Sequence, residues 1–214
     1  MKKIYLLLAH HQKSIKKLFL LTYIILITLY VIGIWQYESL SEIKGLYSTI
    51  GRKSGQISIV LLLLTLIPGM LKRMDLLNKI ESIVYLFRRQ LGVLAFFMAV
   101  THVGYMSWIR KIASGENPLD SLFKYQQTGF AAFTIFLLLW VTSNDISMKL
   151  LGKWWRYLQR LSYVSVIALI LHVFAAGSQI WIVLLAFLVA EAVSWIFSLM
   201  RNKASSKAGK NRKR

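Results

Sequence analysis

Long apolar stretches alternate with short polar, basic segments along the whole chain. Six runs stand out: Leu18 to Trp35, Gln56 to Leu71, Phe87 to Trp108, Gly129 to Val141, Leu161 to Gly177 and Gln179 to Leu199. Crossing a hydrocarbon layer of about 30 Å takes about 20 helical residues. The fourth run reaches that length only with flanking Tyr125 to Thr128 and Thr142 to Ser143. Backbone in lipid must satisfy its own hydrogen bonds, which a helix does within one segment. The pattern therefore predicts an all-α integral membrane bundle of six transmembrane helices over residues 1–200. A basic, disordered tail over 201–214, "RNKASSKAGKNRKR", is expected to follow, because it lacks the apolar content to fold. The first run follows a basic segment, as a secretory signal would. It has the length of a full span, however, and no small-residue cleavage site follows Trp35, so it is expected to be a retained helix.

Composition supports this reading. A chain of 214 residues that is 57% hydrophobic would need too large a core to be water-soluble. The absence of cysteine excludes disulfides, thiolate catalysis and cysteine-held iron–sulfur or zinc centres. The loops are too short to hide a soluble catalytic domain, and no nucleotide-binding glycine pattern occurs. Between spans three and four, Asn117-Pro118 and Asp120 predict a turn leading into a short surface helix.

A formal net charge of +19 suggests nucleic acid at first sight. Topology explains it better. With both termini cytoplasmic and six alternating spans, 21 of the 27 Lys and Arg residues fall on the cytoplasmic side, as the positive-inside rule expects. The expected contact of the basic tail is the lipid surface, with no nucleic acid partner.

Four histidines occur in two settings. His10 and His11 precede the first span among lysines and are expected to be solvated. His102 and His172 lie inside spans three and five, where a polar ring must turn into the bundle and find a partner. Each sits five or six residues before the outer end of its span, about 8–9 Å at 1.5 Å per residue, so the rings share one level. Two imidazoles at one depth can hold a haem iron between them. They can equally hydrogen-bond to a neighbouring serine or carbonyl. Met98 and Met106, one helical turn either side of His102, are a further ligand option, although such residues usually fill a core.

Four stretches carry a resemblance: "SGQISIVLLLLTLIPGMLKR" (Ser54 to Arg73), "RRQLGVLAFFMAVTHVGY" (Arg88 to Tyr105), "TGFAAF" (Thr128 to Phe133) and "TSNDISMKLLGKWWRYLQRLSYVSVIALILH" (Thr142 to His172). In order and spacing the chain resembles the MsrQ or YedZ family. These are the haem-binding membrane subunits of methionine sulfoxide reductase systems, within the ferric-reductase-like transmembrane group. The likeness covers roughly Gly45 to Ala176.

The resemblance implies a bacterial inner-membrane b-type cytochrome, an electron-transfer subunit rather than a complete enzyme. It would bind haem b, with FMN as a further cofactor. Electrons would pass from a cytoplasmic flavin reductase, or a quinone, to a periplasmic molybdopterin-containing methionine sulfoxide reductase subunit. His102 and His172 correspond to haem ligands. Arg88 and Arg89 correspond to a basic pair suited to haem propionates or a flavin phosphate, or to anchoring on the cytoplasmic side. One departure concerns a second haem: where the family writes histidine after Trp-Arg-x-Leu, this chain has Gln159, a poor iron ligand, so one outer haem is expected.

Two other function classes remain open. One is a small ferric reductase acting on chelated metal at the outer face; the other is a transporter or structural protein whose histidines only hydrogen-bond. Glu191, the one acidic residue in a predicted span, is expected either to stay neutral, to pair with a base such as Arg201 or an inner-loop lysine, or to relay protons.

Overall fold

The computed structural model describes residues 6, 10–36, 45–76, 79–117, 119–120 and 122–211, and every described element is helical. In chain order these are α1 (Gln12–Trp35), α2 (Leu46–Arg73), α3 (Lys79–Val103), a π-helical turn (Gly104–Trp108), α4 (Ile109–Ala113), α5 (Lys124–Val141), α6 (Asp145–Leu151), α7 (Lys153–Gln159), α8 (Leu161–Ala175) and α9 (Ile180–Asn211).

Five spans are long and apolar enough to cross a membrane: within α1, α2 and α9, from Leu86 of α3 through the π-helical turn to Trp108, and α7 joined to α8. The fourth predicted span is α5, with 18 residues. It makes six only together with α6, which turns away from it by 91°. The break falls at Ser143 and Asn144, where the Asn144 side chain caps α6 by accepting from the Ser147 amide at 2.7 Å.

The core is a single cluster of Leu62, Leu66, Ala95, Phe96, Phe136, Val166, Val173 and Leu184, contributed by α2, α3, α5, α8 and α9. Leucines, isoleucines and valines on the outward faces are exposed, as they are on helices solvated by lipid tails. Lipid supplies no hydrophobic drive for helix association, so close approach and hydrogen bonds carry it instead. The most extensive pairing, α2 with α3, shows both. Small residues Gly51, Ser54, Gly55 and Ser58 follow one another at helical spacing on α2, and the Ser58 hydroxyl donates to the Ala95 carbonyl at 2.8 Å. α1 is held mainly by tyrosines: Tyr23 donates to the Gln90 carbonyl at 2.9 Å and Tyr105 to that of Leu29 at 3.1 Å.

Two expectations change. The short surface helix led by Asp120 is absent from the described residues. Asn117 forms a side-chain turn by accepting from the Leu119 amide at 3.0 Å, and the start of α5 is fixed by the Phe123 amide donating to Gln126 at 2.9 Å. Pro118, part of that expected turn, lies outside the described residues. The basic tail departs from the unstructured expectation too, since α9 continues as helix to Asn211. Alanine, lysine and arginine favour helix even where packing offers nothing. Residues 212–214 lie outside the described residues.

Candidate haem-binding site

His102 lies in the last turn of α3, two residues before the π-helical turn; His172 lies in the last turn of α8. The structure brings the two rings together, with centroids 6.1 Å apart and planes at 76°. Each ring is anchored in the same way. His102 Nδ1 donates to the Gly51 carbonyl of α2 at 2.8 Å, and His172 Nδ1 to the Tyr125 carbonyl of α5 at 2.6 Å. A carbonyl oxygen can only accept, so each Nδ1 carries the proton and each Nε2 keeps its lone pair.

A helix carbonyl is already engaged by the amide four residues later, and the side chain of that later residue covers it. Both sites remove the cover. The residue four after Gly51 is Gly55, and the residue four after Tyr125 is Gly129. A Cβ on Gly55 would stand 2.7 Å from His102 Nδ1, and one on Gly129 would stand 2.7 Å from His172 Cε1 and Nδ1. Each ring thus lies flat against a bare turn of a neighbouring helix and shares its carbonyl with a hydroxyl of that helix, Ser54 donating to Gly51 and Thr128 to Tyr125, both at 2.9 Å. The Gly51-x-x-x-Gly55 spacing, a known signature of close helix approach, was a legible but unused sign of this.

The rings line a cavity of about 600 Å³. Its walls are apolar over most of their extent: Ile59, Ala99, Phe133, Phe136, Leu169 and Val173. Phe133 continues into a row of stacked rings, 5.9 Å to Phe96 and from there 4.7 Å to Trp140.

Of the other sequence-predicted residues, only Met106 lines this cavity among the described residues. Arg89 is exposed at the opposite end of the bundle, its Nη1 2.6 Å from Asp145 and its Nε donating to the Ser143 carbonyl at 2.7 Å. Arg88 precedes it on α3 and does not line the cavity. Thirteen and fourteen residues of helix separate the pair from His102, about 20 Å, so the propionate role read for Arg88 and Arg89 does not apply to a haem held at these histidines. Gln159 donates from Nε2 to Thr142 Oγ1 at 3.3 Å, and no further histidine accompanies it there among the described residues. Met106 lines the cavity but Met98 does not. His10 and His11 are exposed at the start of α1. Glu191 finds Arg73 rather than Arg201, forming a buried ion pair between α9 and α2.

The sequence pattern described as "Ferric reductase like transmembrane component" matches residues 54–170, more than half of the chain. The chain belongs to the ferric-reductase-like transmembrane family. The match includes His102 and stops two residues short of His172. Within the curated members, the chain is similar to the protein-methionine-sulfoxide reductase heme-binding subunit MsrQ of Herminiimonas arsenicoxydans, 32% identical over 58% of this chain and 56% of that one. The subunit of the same name from Ralstonia nicotianae is 29% identical over 72% of this chain and 74% of the relative. That of Bordetella parapertussis is 34% identical over 56% and 58%. The matched stretch thus spans little more than half the length of the first and third of these relatives. No solved structure matches this member of the ferric-reductase-like family.

Proposed function

We propose that this chain is the haem-binding, electron-carrying membrane subunit of a protein-methionine-sulfoxide reductase system, seated in the bacterial inner membrane. The observation that carries the proposal is the histidine pair. Two imidazoles on opposite sides of one metal, each nitrogen about 2 Å from it and each centroid about 1 Å further back, stand about 6 Å apart. The observed separation is 6.1 Å. The protonated Nδ1 atoms, bound to backbone carbonyls, leave Nε2 to the metal, as is usual for metal-binding histidines. The surrounding walls suit a large flat apolar group.

His102 and His172 would hold the iron of one b-type haem, and the bound haem would supply one-electron chemistry. The chain's own residues would fix ring orientation through Gly51 and Tyr125 and keep water from the apolar walls. With Gln159 in place of a second ligand, the electrons would come from a flavin- or quinone-linked donor on the cytoplasmic side, where Arg88, Arg89, Arg156 and Arg160 offer anion contacts, FMN phosphate included. They would leave to a periplasmic molybdopterin-containing reductase subunit.

A reduced-minus-oxidised absorption spectrum of the purified protein tests this. The expected result is a sharp b-type band at one haem per chain, together with methionine sulfoxide reduction that needs both this chain and the periplasmic subunit. A haem protein that instead reduces ferric chelates at the outer face would favour the metal-reductase reading; no haem at all would leave a transporter or structural role.

The glycine cradle gives a second prediction. Gly55→Ala and Gly129→Ala each place a methyl group 2.7 Å from a ring atom, so the ring must shift and its Nδ1 bond must lengthen or break. Loss of such an outer partner typically costs roughly 10–100-fold in metal affinity. Haem titration of the two variants should show weakening in that range, while Gly92→Ala on α3, where a Cβ meets nothing within 4 Å, should bind like the wild type.

A further inference from the structure

The walls around the histidines contain one charged side chain among the described residues, Arg52 of α2. A porphyrin of the b type carries two carboxylates at one edge, and a carboxylate leaving water needs a charged or hydrogen-bonding partner. Arg52 is placed to supply it. It stands one helical turn before Gly55, on the side of the His102 ring that faces the end of the bundle, and it shares a face of α2 with Gly55, Gln56 and Ile59. That face grades from apolar at Ile59, deep in the cavity, to cationic at Arg52. The Arg52 Nε donates to the Ser48 carbonyl at 3.3 Å, which orients the guanidinium and leaves both terminal nitrogens without a partner among the described residues. Two parallel N–H donors of that kind match a carboxylate. Directly beside it, a second cavity of about 320 Å³ is lined by Thr49, Arg52, Lys53 and Gln56, adding a further cation next to the first.

We infer that Arg52, supported by Lys53 and Gln56, is the carboxylate-binding end of the cavity and that haem enters with its propionates directed toward α2. The inference rests on the haem reading above. It assigns to Arg52 the role that the sequence suggested for Arg88 and Arg89, and Arg52 lies outside the stretch that matches the family pattern.

The test compares haem with its dimethyl ester, in which both carboxylates are masked, by titration into the full-length protein produced without haem. Wild type should bind haem roughly tenfold or more tightly than the ester, the worth of a hydrogen bond to a charged group. Arg52→Gln should lose most of that preference, and Arg52→Lys should keep part of it. Arg52→Gln should also lower the haem midpoint potential, since removing a nearby positive charge favours the ferric iron, while the absorption bands set by the two imidazoles stay unchanged. Lys149→Gln, which removes an exposed cation on α6, should alter neither. If wild type binds haem but does not distinguish the ester, or if Arg52→Gln keeps both the full preference and the wild-type potential, the Arg52 assignment falls and the histidine site stands. If wild type binds neither compound, both fall.

Discussion

His102→Ala and His172→Ala are each expected to abolish stable haem binding. Second-shell losses around a metal-binding histidine already cost roughly 10–100-fold in affinity, and removing the ligand itself removes more. Each variant leaves the Gly51 or Tyr125 carbonyl paired with the hydroxyl it already accepts, Ser54 or Thr128, both at 2.9 Å. The fold should therefore survive, and thermal unfolding of the haem-free variant should match that of the haem-free wild type. Adding imidazole distinguishes a lost ligand from a damaged pocket, because the space left by the ring lies in an existing cavity lined by the remaining histidine. Partial return of the haem band with free imidazole is the expected outcome. Retention of full haem content by both alanine variants would overturn the ligand assignment.

The largest effect on stability is expected at the other end of the bundle. Glu191 is 2% exposed in α9 and pairs with Arg73 of α2. Arg73 Nε also donates to Ser194 at 2.9 Å, and its guanidinium lies 4.7 Å from the centre of the Trp195 ring. Breaking a buried pair by removing one member leaves an uncompensated charge, a cost of about 3–5 kcal/mol. Glu191→Ala and Arg73→Ala should each lower the unfolding temperature by roughly 10 °C for a chain of this size. The double variant Arg73→Met/Glu191→Leu should recover most of the loss, since apolar side chains of similar volume replace the pair at little cost. Eighteen residues of α2, about 27 Å, separate Arg73 from Gly55, so haem content of the folded fraction should not change. A double variant as unstable as the single ones would show that the pair does more than join two helices.

How much of this was readable from sequence depended on the range of the interaction. The spans were readable because apolar run length is a local property, and α5 was the weak case in both sequence and structure because its run is short and the chain turns sharply at Ser143 and Asn144. The common level of His102 and His172 followed from depth arithmetic along two helices, whereas the approach of their rings depends on how α3 and α8 are rotated in the bundle. The partner of Glu191 did not follow, because inner-side cations are numerous and only the packing of α9 on α2 selects Arg73, 118 residues away. The anchoring carbonyls were equally hidden. A backbone oxygen has no sequence signature, although the glycines that uncover it do, and Gly51-x-x-x-Gly55 was that signature. Arg52 precedes the apolar run that begins at Gln56, whereas α2 begins a full ten residues before that run, at Leu46. Those added turns carry the cation to the cavity edge.

Electron paramagnetic resonance of the oxidised, purified protein probes the iron's two axial positions directly. Two histidine ligands with ring planes at 76° predict a low-spin ferric signal with the strong anisotropy of nearly perpendicular imidazoles. A high-spin ferric signal in the native protein, indicating that one or both imidazoles are not bound, would contradict the account.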